Sequence, residues 1–219
     1  MIRIENVDIF GWGAAIRGAR NPMNSWDKSD SKYWDDSKHP GHYLFSLGEN
    51  DLQLLKKLAT AGNDHGKFLR MINVTLDIEA PLYWWKEFDT YKVGTVANSC
   101  STMHKIHAKE ITPDDFSHEH LNKHSSNALQ MLCDVLETNR KCFLALDGDE
   151  KKSAWWQLIQ LLPSSYNQRR TVQLNYAVLR TMYHARKYHK LDEWKILCAE
   201  IENLPYAKEL ILLREIDDE

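Results

Sequence analysis

Alternation of apolar and polar residues predicts two β-strands in the first half of the chain. Apolar and polar residues alternate over residues 72–78 and over the first four residues of the segment 2–7, which is the period of a strand with one buried face. The second segment has one face made of Ile72, Val74, Leu76 and Ile78 and another made of Asn73, Thr75 and Asp77. We predict that a helix begins directly after it, near Ala80-Pro81, because proline is tolerated in the first turn of a helix.

Helical periodicity predicts most of the remaining elements. Apolar residues recur at helical intervals over residues 49–61, 118–140 and 152–162. Residues 14–20 contain good helix formers, and residues 191–203 and 207–216 are predicted as two closing helices separated by Pro205. Pro22 and Gly62 follow two of these segments and favour the end of a helix there. Residues 24–48 are polar, aromatic and rich in turn-forming residues, so we predict a long loop for this segment.

Two further segments are predicted to carry polar side chains on a helical stripe. The first follows Ala80-Pro81 and runs to Gly94, with Tyr83, Glu87 and Tyr91 at a spacing of four. The second lies between residues 166 and 190, where one narrow stripe contains Asn175, Leu179, Met182 and Arg186. A buried amide and a buried guanidinium on this stripe would both need polar partners.

The composition predicts one compact domain spanning residues 1–219. The chain has 219 residues, of which 43% are hydrophobic, with eight Trp but only nine Gly and six Pro. We therefore expect an α/β (α+β) fold, with a small sheet and several packing helices. Because the sequence contains no run of about 18 apolar residues, we predict a soluble, cytoplasmic protein.

The charge balance argues against two classes of partner. The chain has 28 Lys and Arg against 31 Asp and Glu, a formal net charge of -3, whereas nucleic acids and anionic membranes attract clustered basic residues. The expected partner is therefore a small molecule. No Cys-x-x-Cys pair is present, so we predict reduced thiols rather than a zinc ribbon or a disulfide framework for Cys100, Cys133, Cys142 and Cys198.

Three groups of residues could carry chemistry, and each has a structural alternative. Five histidines could ligate a transition metal, but no cysteine or carboxylate completes an evident set, so we predict no metal site for His104, His107, His118, His120 and His124. A cluster of aromatic residues could stack on the flat ring of a ligand or pack in the protein core. Its members are Tyr83, Trp84, Trp85, Phe88 and Tyr91. Two interpretations are open for the arginines of this region: they bind a phosphate group, or they lie on a solvated helix face. The second is the structural alternative for Arg169, Arg170 and Arg180, and the two are equally favoured for Arg186.

Several stretches of the chain resemble the flavin-dependent thymidylate synthases, which methylate dUMP with methylenetetrahydrofolate and reduced FAD. Residues 72–92, INVTLDIEAPLYWWKEFDTYK, are similar to the family's strand, Ala-Pro pair and helix leading into an Arg-His-Arg signature. Asn98 and Ser101 resemble its Asn-x-x-Ser motif, and LLPSSYNQRRTVQLNYAVLRTMYHAR resembles its late helix through Asn175 and Arg186. AAIRGARNPMNSW is similar to a helix with two arginines that is followed by a serine, here Ser25.

The resemblance implies a flavin-dependent thymidylate synthase-like fold and a set of site residues. It also implies a homotetramer, FAD as cofactor, and a dUMP-like pyrimidine nucleotide and folate as partners. The implied catalytic residue is Ser101, the nucleotide contacts are Ser101, Arg186 and Glu87, and the cofactor contacts are Thr90, Tyr91, Lys92, Asn98, Asn175 and Ser25. Amides and a single arginine also cap and cross-link helices, which is the structural alternative for Asn98, Asn175 and Arg186.

Substitutions within the signature predict weak binding of FAD. Thr90-Tyr91-Lys92 stands where the family has Arg-His-Arg, and Glu87 stands where it has glutamine. Charge-assisted hydrogen bonds contribute about 1.5–3 kcal/mol each, so losing several of them removes most of the affinity for a diphosphate. Two functions therefore stay open: a divergent protein that binds or acts on a pyrimidine nucleotide, and a non-catalytic structural or interaction protein that retains the oligomeric scaffold.

Overall fold

The computed structural model describes residues 2–35 and 43–213 and has a mixed architecture of helices and sheet. The strands are β1 (Arg3–Phe10), β2 (Lys32–Asp35), β3 (Tyr43–Ser46), β4 (Asn73–Pro81), β5 (Val96–Ser99) and β6 (Asn167–Asn175). The helices are α1 (Trp12–Arg20), α2 (Glu49–Thr60), α3 (Leu82–Phe88), α4 (Thr102–Lys105), α5 (Lys123–Ala145), α6 (Gly148–Leu161), α7 (Tyr176–Arg186), α8 (Asp192–Glu202) and α9 (Ala207–Leu210). The predicted fold class is confirmed. Within these residues every helix is too short or too polar to cross a lipid bilayer.

Four strands form one sheet in the order β1, β4, β6, β5, so strands that are distant in sequence are neighbours. β2 and β3 form a separate antiparallel hairpin in which Lys32 pairs with Ser46 and Asp35 with Tyr43. This hairpin lies inside residues 24–48, so the prediction of a loop throughout that segment is wrong. Its strands have only four residues each, which is too short for a period of two to stand out. Residues 36–42 of the predicted loop lie outside the described residues.

The strand predicted at residues 72–78 is confirmed as β4. Buried and half-buried residues alternate along it, and the exposed fractions of Val74, Leu76 and Ile78 do not exceed 5%. The strand continues through Pro81, whose ψ of 149° is extended. The following helix therefore begins at Leu82 rather than at Ala80-Pro81, and the N–H of Leu82 donates to the carbonyl oxygen of Tyr166 at 3.0 Å.

Helix α3 ends at Phe88, so the prediction of a helix that continues to Gly94 is wrong. The N–H and the hydroxyl of Thr90 both donate to the carbonyl oxygen of Glu87, at 3.1 and 2.7 Å, and close the end of the helix. Gly94, with a φ of +77°, belongs to the turn that follows. Because Tyr91 lies in this turn, it does not share a helical stripe with Tyr83 and Glu87.

Residues 167–175 form strand β6, although the segment was predicted to be helical. Its first half contains Arg169 and Arg170, so only Val172 and Leu174 show the alternation of a half-buried strand. The helical stripe is confirmed from residue 176 onwards, where Leu179 and Met182 of α7 are 2% and 0% exposed. The C-terminal helix predicted at residues 207–216 is shorter, and residues 214–219 lie outside the described residues.

The chain is divided into two compact units, and each unit has its own core. The first comprises Met1–Asn6, Leu76–Thr90 and Ala97–Val172. In it α5 and α6 pack around a cluster that includes Phe116, Leu136 and Leu158. Three aromatic side chains of α3 are almost completely buried, which confirms core packing for Trp84, Trp85 and Phe88, whereas Tyr83 is half-buried.

The second unit comprises Val7–Thr75, Tyr91–Val96 and Gln173–Glu219. Its aromatic core is centred on Trp12 of α1, which is 6% exposed. The Trp12 ring centroid lies 5.5 Å from that of Phe45 and 5.4 Å from those of Tyr176 and Tyr206. These contacts join α1, β3 and the first residue of α7. The assignment of residues 1–219 to a single domain stays a prediction.

Candidate functional site

A positively charged side chain is held against two aromatic rings in the second unit. The Nε of Arg186 donates to the hydroxyl oxygen of Tyr91 at 2.9 Å. The guanidinium carbon lies 5.6 Å from the ring centroid of Tyr91 and 4.8 Å from that of Trp194. Cation–π contacts of this kind stabilise by about 0.5–2 kcal/mol. We call Tyr91, Arg186 and Trp194 the Arg186 cluster.

Three separate elements bring the Arg186 cluster together. Tyr91 lies in the turn after α3, Arg186 is the last residue of α7, and Trp194 is a fully buried residue of α8. A cation at the C-terminus of a helix is favoured by the helix dipole. Tyr91 was predicted as a cofactor contact and Arg186 as a nucleotide contact, and the structure places the two side chains in direct contact. No sequence pattern marks Trp194 as a member of the cluster.

Asn175 caps the N-terminus of α7. Its Oδ1 accepts a hydrogen bond from the N–H of Val178 at 3.1 Å, an arrangement that typically stabilises a helix by about 1 kcal/mol. The residue is 8% exposed. Gly94 packs directly against this side chain, since a Cβ atom on Gly94 would lie 3.0 Å from Nδ2 of Asn175. The predicted cofactor contact Asn175 therefore has a structural role and lies beside the turn that carries Tyr91.

The turn that links α3 to β5 presents polar side chains at the surface. Thr90 and Lys92, which were predicted as cofactor contacts, are both exposed. The N–H of Thr95 donates to the carbonyl oxygen of Lys92 at 3.4 Å. The hydroxyl oxygen of Thr95 is buried and has no hydrogen-bond partner in the part of the chain that the structure describes.

The first unit contains Glu87, Asn98 and Ser101. The hydroxyl oxygen of Ser101 accepts a hydrogen bond from the N–H of His104 at 3.1 Å and caps α4. Asn98 is exposed on β5, and Glu87 is half-buried near the end of α3. Ser101 is therefore engaged in local structure, and its catalytic role stays a prediction.

Ser25 lies in the second unit, next to Arg20. The carbonyl oxygen of Ser25 accepts a hydrogen bond from Nη1 of Arg20 at 3.1 Å, and its N–H donates to the carbonyl oxygen of Arg20 at 3.3 Å. Arg20 itself is paired with Asp51 of α2. The pairing of Arg20 with Asp51 was not predicted, although the position of Asp51 on the same helical stripe as Leu55 and Ala59 was an available signal. The role of Ser25 as a cofactor contact stays a prediction.

Arg169 lies on strand β6 rather than on a solvated helix face. Its Nη2 donates to a carboxylate oxygen of Asp77 at 2.8 Å. The same carboxylate accepts hydrogen bonds from the hydroxyl of Thr171 at 2.6 Å and from the amide of Asn6 at 2.8 Å. The hydrogen bonds from Thr171, Arg169 and Asn6 hold the pKa of Asp77 well below its usual range. The polar face of β4 is thus used in a cross-strand network.

Arg170 and Arg180 are also paired within the chain, so their prediction as a solvated helix face is wrong. The guanidinium of Arg170 lies 4.2 Å from the ring centroid of Trp85 and its Nη1 donates to Asp89 at 2.7 Å. Arg180 of α7 is 8% exposed and donates to the carbonyl oxygen of Ala59 near the end of α2. Both side chains therefore have structural partners.

The histidine-rich segment does not gather into a metal site. In residues 2–35 and 43–213 no group of three or more His, Cys, Asp or Glu side chains is arranged to hold a metal ion. His107 instead packs on Phe143 with ring centroids 4.5 Å apart, and Nδ1 of His118 bonds the carbonyl oxygen of Phe116 at 2.8 Å. All four cysteines are free thiols.

The chemistry of the predicted cofactor contacts does not fit the diphosphate of FAD. Lys92 is the one cation among the six residues. The hydroxyl of Thr90, the hydroxyl oxygen of Tyr91 and Oδ1 of Asn175 already make hydrogen bonds within the chain. A diphosphate is held best by several charge-assisted hydrogen bonds. The oriented guanidinium of Arg186 suits a single phosphate group better.

Comparison with known proteins identifies the fold. No protein-family model and no curated protein matches the chain in sequence. Its structure is similar to a crystal structure of thymidylate synthase X from Helicobacter pylori with FAD and dUMP, with a TM-score of 0.65, 16% identity, and coverage of 97% of this chain and 98% of that chain. A second structure of the flavin-dependent thymidylate synthase from Helicobacter pylori, complexed with FAD and dUMP, has a TM-score of 0.64 and 15% identity and covers 94% and 98% of the two chains. The predicted resemblance is therefore confirmed at the level of structure: the chain has the fold of the flavin-dependent thymidylate synthases.

Proposed function

We propose that this chain is a divergent protein of the fold that binds a pyrimidine nucleotide of the dUMP type. The solved Helicobacter pylori structures contain dUMP and FAD and match the chain over almost its whole length. The observation that carries the proposal is the placement of Arg186, which is oriented by the hydroxyl of Tyr91 and packed against Trp194. An oriented guanidinium is the side-chain group best suited to bind phosphate.

The geometry of the Arg186 cluster lowers the cost of binding an anion. A freely rotating arginine loses about 2 kcal/mol of side-chain entropy when it is immobilised. In the cluster the hydrogen bond to Tyr91 and the packing against Trp194 restrain Arg186 before any ligand arrives. A charge-assisted hydrogen bond to phosphate contributes about 1.5–3 kcal/mol. Because Arg186 is already restrained, the entropy cost that offsets this contribution is smaller than for a freely rotating arginine.

Two further residues are proposed as nucleotide contacts by the resemblance alone. Ser101 and Glu87 take this role, with Ser101 as the catalytic residue in an active enzyme. Glu87 carries a carboxylate, which repels a second anion placed close to it. Since dUMP is itself an anion, in this role Glu87 contacts the base and not the phosphate. The proposed cofactor contacts Thr90, Tyr91, Lys92, Asn98, Asn175 and Ser25 are expected to bind FAD only weakly, because Lys92 is the one cation among them.

A non-catalytic structural role is the second candidate, and a specific observation favours it. Three candidate site residues serve local structure: Ser101 caps α4, Asn175 caps α7, and Thr90 closes α3. A scaffold that has lost catalysis would retain such residues for stability. Absence of flavin absorbance, together with no thermal shift on adding dUMP, would favour this candidate.

Calorimetry with the purified protein tests the nucleotide proposal. We expect dUMP to bind to the wild-type chain, and the Arg186→Gln variant to bind it about tenfold or more weakly, because one charge-assisted hydrogen bond is lost. Arg70→Gln, at an exposed arginine of the same unit, is the matched control and should bind like the wild type. Equal affinity of the two variants would refute the role of Arg186. Incubation with dUMP, FAD, a reductant and methylenetetrahydrofolate then shows whether dTMP is formed.

A further inference from the structure

We propose that Gly94 is required for nucleotide binding, because its missing side chain keeps the amide nitrogen of Asn175 open to an oxygen atom of the bound nucleotide. This inference rests on the nucleotide binding proposed above and adds a second contact to it. The acceptor on the ligand is either a carbonyl oxygen of the pyrimidine ring or a phosphate oxygen, since both accept hydrogen bonds from an amide.

The two ends of the Asn175 side chain are used differently. Oδ1 accepts the hydrogen bond from Val178 that caps α7. Nδ2, which can donate two hydrogen bonds, donates none to any residue in the described parts of the chain. The residue as a whole is 8% exposed, but Nδ2 is not among the buried side-chain atoms that lack a partner in the described residues. This nitrogen atom therefore borders on solvent, and an oxygen atom of a ligand can take the place of water there.

Gly94 controls the space next to this nitrogen atom. A Cβ atom on Gly94 would lie 3.0 Å from Nδ2 of Asn175 and 3.2 Å from Cγ2 of Val178. Any side chain at this position would therefore be in tight contact with the amide and would take the place of a ligand atom. The φ of +77° also favours glycine over other residues.

The position of Gly94 relates this contact to the Arg186 cluster. Gly94 lies in the same turn as Tyr91, whose hydroxyl orients Arg186. Asn175 caps the N-terminus of α7 and Arg186 is its last residue, so a helix of eleven residues, about 16 Å long, separates their main chains. The turn that contains Tyr91 and Gly94 contacts both side chains, because the Tyr91 hydroxyl bonds Arg186 and Gly94 packs against the amide of Asn175.

Two glycine variants separate the effect of the side chain from that of backbone strain. Gly94→Ala and Gly62→Ala both place alanine at a left-handed residue of the second unit, since Gly62 has a φ of +90°. A Cβ atom on Gly62 would meet no other atom within 4 Å, so this variant is the matched control. We expect the affinity for dUMP, measured by calorimetry, to fall about tenfold or more in Gly94→Ala and to stay within about twofold of the wild type in Gly62→Ala.

A second pair of variants tests the amide directly. Asn175→Ser retains an oxygen atom that can cap α7 but removes the amide nitrogen. Asn122→Ser makes the same change at α5, where Oδ1 of Asn122 accepts the N–H of Ser125. We expect similar thermal stability for the two serine variants and a loss of dUMP affinity of about tenfold in Asn175→Ser alone.

The pattern of results distinguishes failure of this inference from failure of the proposed function. If the wild-type chain binds dUMP and both Gly94→Ala and Asn175→Ser bind it equally well, the role of Gly94 is refuted and the nucleotide proposal stands. If the wild-type chain binds no dUMP, both are refuted. Titrations with deoxyuridine and with inorganic phosphate identify the acceptor. The two variants should lower the affinity only for the ligand that contains the acceptor oxygen atom.

Discussion

Arg20 and Asp51 form an ion pair inside the second unit, with Nε and Oδ1 2.6 Å apart and side chains 5% and 0% exposed. The other carboxylate oxygen of Asp51 accepts hydrogen bonds from the hydroxyls of Ser29 and Ser31, at 2.7 and 2.6 Å. Burial raises the pKa of Asp51, but the hydrogen bonds from Ser31, Ser29 and Arg20 outweigh it and hold the pKa below its usual value. The network fixes the main chain that follows α1.

Breaking this ion pair should destabilise the protein strongly. Asp51→Asn leaves the charge of Arg20 buried without its counterion, which typically lowers the free energy of unfolding by about 3–5 kcal/mol. Urea denaturation followed by circular dichroism measures the change. Asp64→Asn is the control, because Asp64 is 95% exposed and its nitrogen–oxygen distance to Lys67 is 3.7 Å. An exposed pair contributes less than about 1 kcal/mol, so equal effects of the two variants would contradict the prediction.

Glu137 should make the stability of the first unit depend on acid pH. Its carboxylate accepts hydrogen bonds from Nε and Nη2 of Arg140 at 2.6 and 2.7 Å, and this pairing lowers its pKa from 4.5 to about 2, against a smaller opposing effect of burial. A lowered pKa in the folded state means that the contribution of Glu137 is complete above pH 4.5 and is lost as the pH falls towards 2.

Urea denaturation at several pH values tests this dependence. The wild type should be more stable than Glu137→Gln at neutral pH, and the difference should shrink steadily between pH 4.5 and 2. Glu150→Gln, at an exposed residue of α6, is the control. A difference between wild type and Glu137→Gln that stays constant down to pH 2 would contradict the assignment.

The resemblance implies a homotetramer, and the surface of α5 and α6 offers apolar area for association between subunits. Several apolar side chains there are 40% to 69% exposed, namely Met131, Val135, Leu144, Trp156 and Leu161. Light scattering should give the mass of an assembly for the wild type and a smaller mass for the double variant Met131→Glu/Val135→Glu, because charges at an apolar interface oppose association. Asn127→Glu on α5 is the matched control. A monomeric wild type at micromolar concentration would contradict this prediction.

FAD should bind more weakly than dUMP. Lys92 is the one cation among the proposed cofactor contacts, so we expect Lys92→Gln to weaken FAD binding further, while Lys86→Gln on α3 should not change it. Calorimetric titration gives both affinities, and the absorbance spectrum of the purified protein shows whether flavin is retained. Sub-micromolar affinity for FAD would show that other residues have replaced the cations.

Elements with a strong period were predictable from the sequence, and elements held by side-chain pairs were not. β4 and α2 each bury one regular apolar face, so their sequence patterns alone indicate them. β6 was missed because Arg169 and Arg170 interrupt its alternation, and their partners Asp77 and Asp89 lie far away in sequence. The early end of α3 depends on the local hydrogen bond from Thr90 to Glu87.

The candidate site was predictable only in part. Tyr91, Asn175 and Arg186 were marked by the resemblance, but the contact of Arg186 with Trp194 follows from the packing of α8 beside α7. Gly94 gave the signal of a helix terminator, and its contact with Asn175 is visible only in three dimensions. Ser101 and Asn175 each use a side-chain oxygen atom to cap a helix, and this hydrogen bond competes with the ligand contacts that the resemblance implies for these residues.

The long separation of paired residues determines when each unit can form during synthesis. Tyr91 and Arg186 are 95 positions apart, and Asp77 and Arg169 are 92 positions apart. Such contacts close long loops, which costs chain entropy before the contact returns any energy. On the ribosome the network around Asp77 cannot form until β6 has emerged. The Arg186 cluster cannot form until α7 and α8, which carry Arg186 and Trp194, have emerged. Both clusters can therefore form only after helices α1 to α6 have been synthesised.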